Sequence, residues 1–397
     1  MEFSILEVLF WAGVFIVFYA YMGYGLVLYP MVKIKQFISK KANKFDENFQ
    51  PEVTFVVPSY NEEDIIEEKV KNCLSFDYPK DKLKIVFITD GSTDSTPDKV
   101  REFENVKVLH ENKRGGKSAA ENRAMKYVET PIVIFSDANT ILPAHAIKEL
   151  VKHYADPSVG AVSGEKRIMN KEKDGATGAG EGIYWKYESF LKKLDSDLKT
   201  IVGAAGELFS FRTELFSELE EDTILDDFML SMRIASQGYK VVYEPDAYAM
   251  ETASASVKEE LKRKVRICAG GWQSMSRLLP ALNPFNDPML SFQYISHRVL
   301  RWSIVPLLLV LLFPLNIYLF VASNQWIYQL SLYGQCLFYV MALLGWYMEN
   351  RQIRVKLLFV PYYFLIMNYA VFAGFFRFLG GKQAAAWERS QRSTVTE

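Results

Sequence analysis

Two short clusters of oxygen-bearing side chains offer this chain its clearest chemistry. The first, Asp137-Ala-Asn139, ends the apolar run Ile132-Val-Ile-Phe135. Side chains two apart on a strand point the same way. The Asp137 carboxylate and the Asn139 amide oxygen can therefore converge on one hard cation, Mg²⁺ or Mn²⁺, of the kind that bridges a diphosphate. An ordinary strand-to-loop turn, where Asp and Asn are common, is the plainer reading. The second cluster is Asp226-Asp227, at the head of a helix over Phe228 to Gln237 that Gly238 ends. Such a pair can simply cap the helix and offset its dipole. Two carboxylates in a row, one partly desolvated, are also how a general base is made.

Around these lie groups suited to a phosphorylated ligand. Asp90 can accept from a base or ribose donor, and Arg114 and Lys117, flanking Gly115-Gly116, can offset phosphate charge. Arg263 and Arg266 lie on a basic amphipathic helix over Lys258 to Arg277. That helix suits either an anionic lipid surface or a diphosphate leaving group. The aromatics Tyr184, Trp185 and Tyr187 open another helix, as core or as a platform for a sugar.

These residues need a scaffold that brings strand ends together. Val53–Val57, Lys84–Thr89, Val106–His110 and Ile132–Phe135 read as strands, with helices from about Glu62 to Leu74, after Ser95 and from about Ser118. This alternation predicts an α/β domain with a largely parallel sheet and helices on both faces. Ligands of such sheets gather at the carboxyl ends of the strands. Here Pro58-Ser-Tyr-Asn-Glu62, Asp90-Gly-Ser-Thr-Asp94, Arg114-Gly-Gly-Lys117 and Asp137-Ala-Asn139 all fall at such ends. A Rossmann dinucleotide site is excluded because no GxGxxG follows the first strand, and Arg114-Gly-Gly-Lys-Ser118 lacks P-loop spacing. Further on, Val159–Ser163 and Glu207–Phe211 read as strands, and the Gly-, Lys- and Glu-rich stretch Lys171–Gly182 as a loop.

Composition narrows the class. The chain has 397 residues, 50% hydrophobic and 14% aromatic, with a net charge of −1, which gives no sign of a nucleic-acid partner. Cys73, Cys268 and Cys336 show neither a disulfide nor a zinc pattern, and the four histidines lack HExxH spacing. Apolar residues concentrate at the ends. Ile5–Tyr29 is long enough to span a bilayer, and Lys33, Lys35, Lys40, Lys41 and Lys44 follow it. The positive-inside rule then places the N-terminus outside and the middle domain in the cytoplasm of a multi-pass cell-membrane protein. Three further spans are expected at Ser303–Ala322, Ile327–Tyr347 and Leu357–Phe376, with Trp302, Trp326 and Trp346 at their ends. Pro361, Asn368 and Gly374 suggest a broken or re-entrant last segment, and parity and tail charge disagree on the side of the C-terminus. The expected organisation is an anchor helix over 1–32, a catalytic domain over 50–280, an interfacial segment over 281–302, membrane helices over 303–378 and a tail over 379–397. No span has an ionisable residue at its centre, which argues against a transporter.

In combination and order these residues resemble the membrane-bound family-2 glycosyltransferases of the GT-A fold, a group that includes the cellulose, hyaluronan and poly-N-acetylglucosamine synthases. The resemblance implies an inverting transferase that uses a nucleotide-sugar donor, a UDP-sugar, and builds or extends an extracellular glycan at the membrane, with membrane lipid around it. It implies that Pro58, Tyr60, Asn61, Glu62 and Asp90 line the nucleotide pocket, that Asp137-Ala-Asn139 matches the Asp-x-Asp metal motif, and that Asp227 is the general base beside Asp226. Arg266 matches the arginine of the Gln-x-x-Arg-Trp motif, but Arg263 stands for its Gln and Ile267 for its Trp. That Trp helps hold the acceptor sugar in processive members. The departure raises the alternative of a single transfer to a lipid-phosphate or lipid-linked acceptor.

Overall fold

The computed structural model describes residues 4–39, 45–169, 175–252, 257–323, 325–351, 353 and 355–381. Among the described residues, seven strands form one sheet: β1 (Val53–Ser59), β2 (Leu83–Asp90), β3 (Lys107–Glu111), β4 (Ile132–Ser136), β5 (Val159–Met169), β6 (Leu208–Arg212) and β7 (Lys240–Thr252). Their order is β3-β2-β1-β4-β6-β5-β7. β3, β2, β1 and β4 run parallel, β6 lies antiparallel between β4 and β5, and β7 is parallel to β5. The sheet is thus mostly parallel, as its alternating sequence predicts.

The apolar runs are continuous because both faces of the sheet are covered. Val56, Val86, Val133 and Phe135 face one core with Phe228 and Met232 of the helix Asp226–Ser236. Phe55, Val57, Phe87 and Ile134 face the other, with Ile66 and Val70 of the helix Ile66–Leu74. Successive residues of one strand therefore divide between two cores.

This topology sets the rim where ligands gather. Chain order reverses at β1, whose neighbours are β2 and β4, so the carboxyl ends of those three strands meet at a switch point. Because β6 is antiparallel, it is its amino end that reaches this rim, where Ser136 pairs with Leu208. Gly206 and Glu207 thereby come beside Asp137.

Among the described residues, four helices are long and apolar enough to cross a membrane: Ile5–Ile38, Pro288–Ala322, Trp326–Asn350 and Leu357–Leu379. The last is unbroken from Lys356 to Leu379, contrary to the expected interruption. Asn368 Nδ2 donates to the Phe364 carbonyl at 2.8 Å, and its Oδ1 accepts from Tyr21 Oη at 3.1 Å. Gly374 lets the helix press against Helix Val257–Arg277, since a Cβ there would lie 2.6 Å from Cys268 Cβ. The glycine-rich stretch predicted as a loop is helical from Gly175, as part of Gly175–Leu198, and residues 171–174 lie outside the described set.

A buried ionic cluster couples the sheet domain to the membrane helices. Glu188 pairs with Arg298 at 2.6 Å and with His297 at 3.2 Å. His297 Nδ1 also meets Asp195 Oδ2 at 2.6 Å, and Tyr24 Oη donates to the same carboxylate. Removing one partner of such a cluster leaves a buried charge without its counterion, at a cost of about 3–5 kcal/mol.

Candidate active site

Three chain segments meet at the amino group of Lys117. The helix Lys117–Met125 starts after Gly116, whose φ of +94° is open to glycine at little cost and sets the sharp entry. Lys117 Nζ lies 3.0 Å from Asp137 Oδ1, 3.0 Å from Asp226 Oδ2 and 3.8 Å from Glu121 Oε1. A cation in the first turn of a helix opposes the dipole, so the carboxylates must hold it there. Burial disfavours the charge, yet Asp137 and Asp226 keep the Lys117 ammonium protonated well above the usual lysine range.

The Asp226-Asp227 pair is set by the segment before it, which is clamped from two sides. Asn122 brackets Leu219 with Nδ2 to the carbonyl at 2.7 Å and Oδ1 from the amide at 3.0 Å, and Ser118 Oγ donates to the Thr223 carbonyl at 3.0 Å. From the other side, Gln273 accepts from the Ile224 amide at 3.1 Å and donates to the Asp222 carbonyl at 2.9 Å. Gly270 allows the approach, since a Cβ there would lie 2.7 Å from Leu225. The two carboxyls then separate in character. Although burial pushes Asp226 up, Lys117 holds it below the usual range. Burial and the Asp226 charge push Asp227 up to about 7. That is where a general base at neutral pH is most effective. A Cβ at Gly206 would stand 3.1 Å from Asp227 Oδ2 and 3.4 Å from Lys117 Nζ, so the glycine leaves room between them.

A cleft beside this centre is lined by Pro58, Ser59, Tyr60, Asp90, Arg114, Gly116, Lys117 and Ala120. The Arg114 guanidinium stacks 3.7 Å from the centre of the Tyr60 ring. Asp90 borders this cleft but also spends its carboxylate within the protein. It accepts from the amides of Gly115 at 3.0 Å and Gly116 at 2.6 Å, and from Arg123 at 3.4 Å. It thus shapes the glycine turn that precedes Lys117. Asn61 and the backbone of Glu62 are tied to the neighbouring loop: Asn61 Oδ1 accepts from the Thr93 amide at 2.9 Å, and the Glu62 amide donates to Thr96 Oγ1 at 2.8 Å. Asn61 takes a left-handed φ of +52°, which Asn tolerates better than most residues.

Asp137 and Asn139 lie at the rim, both half-buried. Burial raises Asp137 and Lys117 opposes it. An anionic carboxylate and a neutral amide oxygen, in a neighbourhood that also holds Asp226 and Glu207, are hard donors that fit Mg²⁺ or Mn²⁺. A separate acidic group, Glu149, Glu244 and Asp246, contains none of the predicted site residues, and Lys152 and His153 already pair with its Glu244 at 3.0 and 2.7 Å.

On the helix Val257–Arg277, Arg263 donates from Nε and Nη2 to Glu260 at 3.0 and 3.1 Å. Its fork is thus committed to a neighbouring carboxylate. Burial lowers the proton affinity of Arg266, and the charges of Asp226 and Asp137 oppose this only in part. Trp272 packs against Phe375 of the last membrane helix, with centroids 4.7 Å apart and the ring planes tilted by 50°.

Three contributors escaped the sequence reading. Glu121 is fully buried one turn after Lys117. Glu207 pairs with Lys166 at 2.6 Å. Lys69, 1% exposed, donates to Ser136 Oγ at 3.0 Å and to the carbonyl and hydroxyl oxygens of Thr140 at 2.9 and 3.1 Å, pinning both ends of the Asp137–Asn139 turn. Burial lowers its amine to about 8. Only Glu121 left a trace in the sequence, as the i+4 partner of Lys117 on one helix face.

A mostly parallel sheet with a polar rim at its switch point and flanking apolar helices defines a GT-A-type fold attached to membrane-length helices. Residues 54–220 match the model of Glycosyl transferase family 2. A poly-beta-1,6-N-acetyl-D-glucosamine synthase of Staphylococcus aureus (strain MSSA476) is 28% identical over 236 residues, 57% of this chain and 56% of that protein. The synthase of the same name from Staphylococcus epidermidis is 26% identical over 264 residues, 64% of this chain and 62% of its own length. The chain thus spans little more than half the length of these curated relatives. Among solved structures, the mannosyltransferase PcManGT from Pyrobaculum calidifontis, in complex with GDP-Man and Mn²⁺, matches with a TM-score of 0.72 and 24% identity. That match covers 96% of this chain and 100% of that one. It extends the likeness in fold to the membrane-length helices.

Proposed function

We propose that this chain is an inverting glycosyltransferase that moves a sugar from a UDP-sugar to the hydroxyl of a growing glycan at the cytoplasmic face of the cell membrane. The observation that carries the reading is the arrangement around Lys117: its ammonium lies 3.0 Å from Asp226, while burial and the Asp226 charge push the neighbouring Asp227 up to about 7. In this reading Asp227 takes the proton of the acceptor hydroxyl. The acceptor oxygen bonds to the anomeric carbon as the bond from that carbon to the diphosphate breaks. One displacement inverts the configuration. Lys117 and Arg266 offset the charge that develops on the departing diphosphate, and the cleft between Tyr60, Asp90 and Arg114 receives the nucleoside. Asp137 and Asn139 would hold a divalent cation, which supplies further charge neutralisation at the diphosphate. The acceptor's route past the membrane helices is part of the same reading, with surrounding lipid as the medium.

The test is nucleotide release by the purified full-length protein in lipid nanodiscs, across a panel of UDP- and GDP-sugars, with and without Mg²⁺ or Mn²⁺. Metal-dependent release with a UDP-sugar is the expected result, and silence across the panel would sink the reading. A second reading, one sugar added to a lipid-linked acceptor, is favoured by Ile267 in the motif's Trp position and by Trp272 being engaged with Phe375. Product length separates the two: a polymer supports the first, a single-sugar lipid the second.

A further inference from the structure

The site contains a carboxyl group with no place in that mechanism. Glu121 is 0% exposed, and neither of its oxygens accepts a hydrogen bond from an N–H or O–H among the described residues. Its one cation among the described residues, Lys117, is 3.8 Å away and spends its short contacts, both 3.0 Å, on Asp137 and Asp226. Ionised Glu121 would thus be a buried anion without a donor, beside another carboxylate. Such a group takes up a proton instead. Burial and the Asp226 charge both raise its proton affinity, well above the usual carboxyl range. Asp226 is the carboxylate that acts most strongly on Glu121, and two neighbouring carboxyls share a hydrogen bond only if one carries the proton. Lys117 keeps Asp226 ionised, so the proton is on Glu121.

We propose that Glu121 is a proton-bearing positioning residue, whose neutral carboxyl donates to Asp226 and fixes that carboxylate between Lys117 and Asp227. The geometry gives the donor three effects. It gives the largely buried Asp226 carboxylate a donor besides Lys117. It leaves Lys117 free to bridge to Asp137. It also spreads part of the Asp226 charge, which moderates the pressure that charge puts on Asp227. The inference rests on the transferase reading for its kinetic consequence but not for its protonation state.

Two arms test it in the purified full-length protein. The first is infrared difference spectroscopy of wild type against Glu121→Gln, at an alkaline pH where Asp227 is ionised. A protonated-carboxyl carbonyl band that disappears in the variant is expected, and its absence from wild type would overturn the proposal. The second compares Glu121→Gln, a neutral donor of the same shape, with Glu121→Leu, which keeps the volume and loses the donor. Gln should retain nucleotide release within about threefold, while Leu should lose about tenfold or more in kcat with little change in donor KM. Equal losses in the two would overturn it. If wild type itself releases no nucleotide, the transferase reading fails while the infrared arm still decides the state of Glu121. Thermal melts of both variants separate a folding defect from a kinetic one.

Discussion

The Lys117 ammonium lies 3.0 Å from Asp137 Oδ1, joining the carboxylate at the end of β4 to the first turn of the helix that follows the glycine turn. Lys117 reaches Asp226 at the same distance. One buried cation thus fixes the spacing between the residue assigned to bind charge and the pair assigned to move a proton. Replacing Lys117 by Met keeps the stem and removes the charge, leaving Asp137 and Asp226 without their counterion. A loss of about 3–5 kcal/mol in stability follows from uncompensated burial, read by denaturant unfolding or a lowered melting temperature. A variant as stable as wild type would show that the bridge contributes little.

Asp227→Asn removes the assigned base while preserving shape. Nucleotide-sugar turnover should fall by about 10²–10⁴, the usual contribution of a general base. UDP affinity, measured by calorimetry, should persist. Unchanged turnover would refute the assignment, and loss of both together would point to a damaged pocket.

The same carboxyl predicts a pH profile. Asp227 works as a base only when ionised, and burial with the Asp226 charge has pushed it up to about 7. Turnover should therefore rise with pH and level off above about 7. Stability runs the other way. The folded value lies above the usual 3.8, so the stability linked to the protonated form is lost as pH rises between these values. Lys117 lowers the proton affinity of Asp227, so in the Lys117→Met variant the limb should move to higher pH. A limb that stays in place in that variant would separate Lys117 from the base.

Gly203 has a φ of +87°, and a Cβ there would stand 2.2 Å from the Phe228 ring, next to Asp227. Gly203→Ala combines backbone strain with overpacking, and each typically costs about 1–3 kcal/mol. The expected outcome is a destabilised protein whose remaining folded fraction has a displaced base helix and lower turnover. A melt indistinguishable from wild type would contradict the packing.

How much of this was legible depended on whether a feature is local. β1, β2 and β4 announce themselves as apolar runs that end in polar turns, because both of their faces are buried. β7 did not, since it is an edge strand interrupted by Pro245, and proline argues against a strand except at such an edge. The helix from Gly175 was hidden by glycines at 175, 178, 180 and 182, each disfavouring a helix by about 1 kcal/mol. At the site, the residue types at 137, 139, 226 and 227 carry their chemistry in the sequence. The contacts among Lys117, Asp137 and Asp226 do not, because three separate segments supply them. Asp90 and Arg263 show the converse. Each has the chemistry for a ligand, and each also spends it on a neighbour, the Gly115-Gly116 amides or Glu260.

Asn139 gives the sharpest test of the cation. A hard divalent ion gains more from a second carboxylate than from an amide oxygen, and affinity for such ions follows the charge count of the ligands. Asn139→Asp should therefore lower the Mn²⁺ or Mg²⁺ concentration for half-maximal nucleotide release by about tenfold. Without metal the same change adds an anion near Asp137, whose carboxyl is already raised by burial, so the metal-free protein should melt lower than wild type. Metal should then recover more stability in the variant than in wild type, because a ligand bound only to the folded state stabilises it in proportion to its affinity. Asp137→Asn is the opposite case: it removes the anionic ligand and a partner of Lys117, so both the metal response and nucleotide release should be lost. If Asn139→Asp leaves the metal dependence and the metal-induced melting shift unchanged, the cation does not sit between these two side chains.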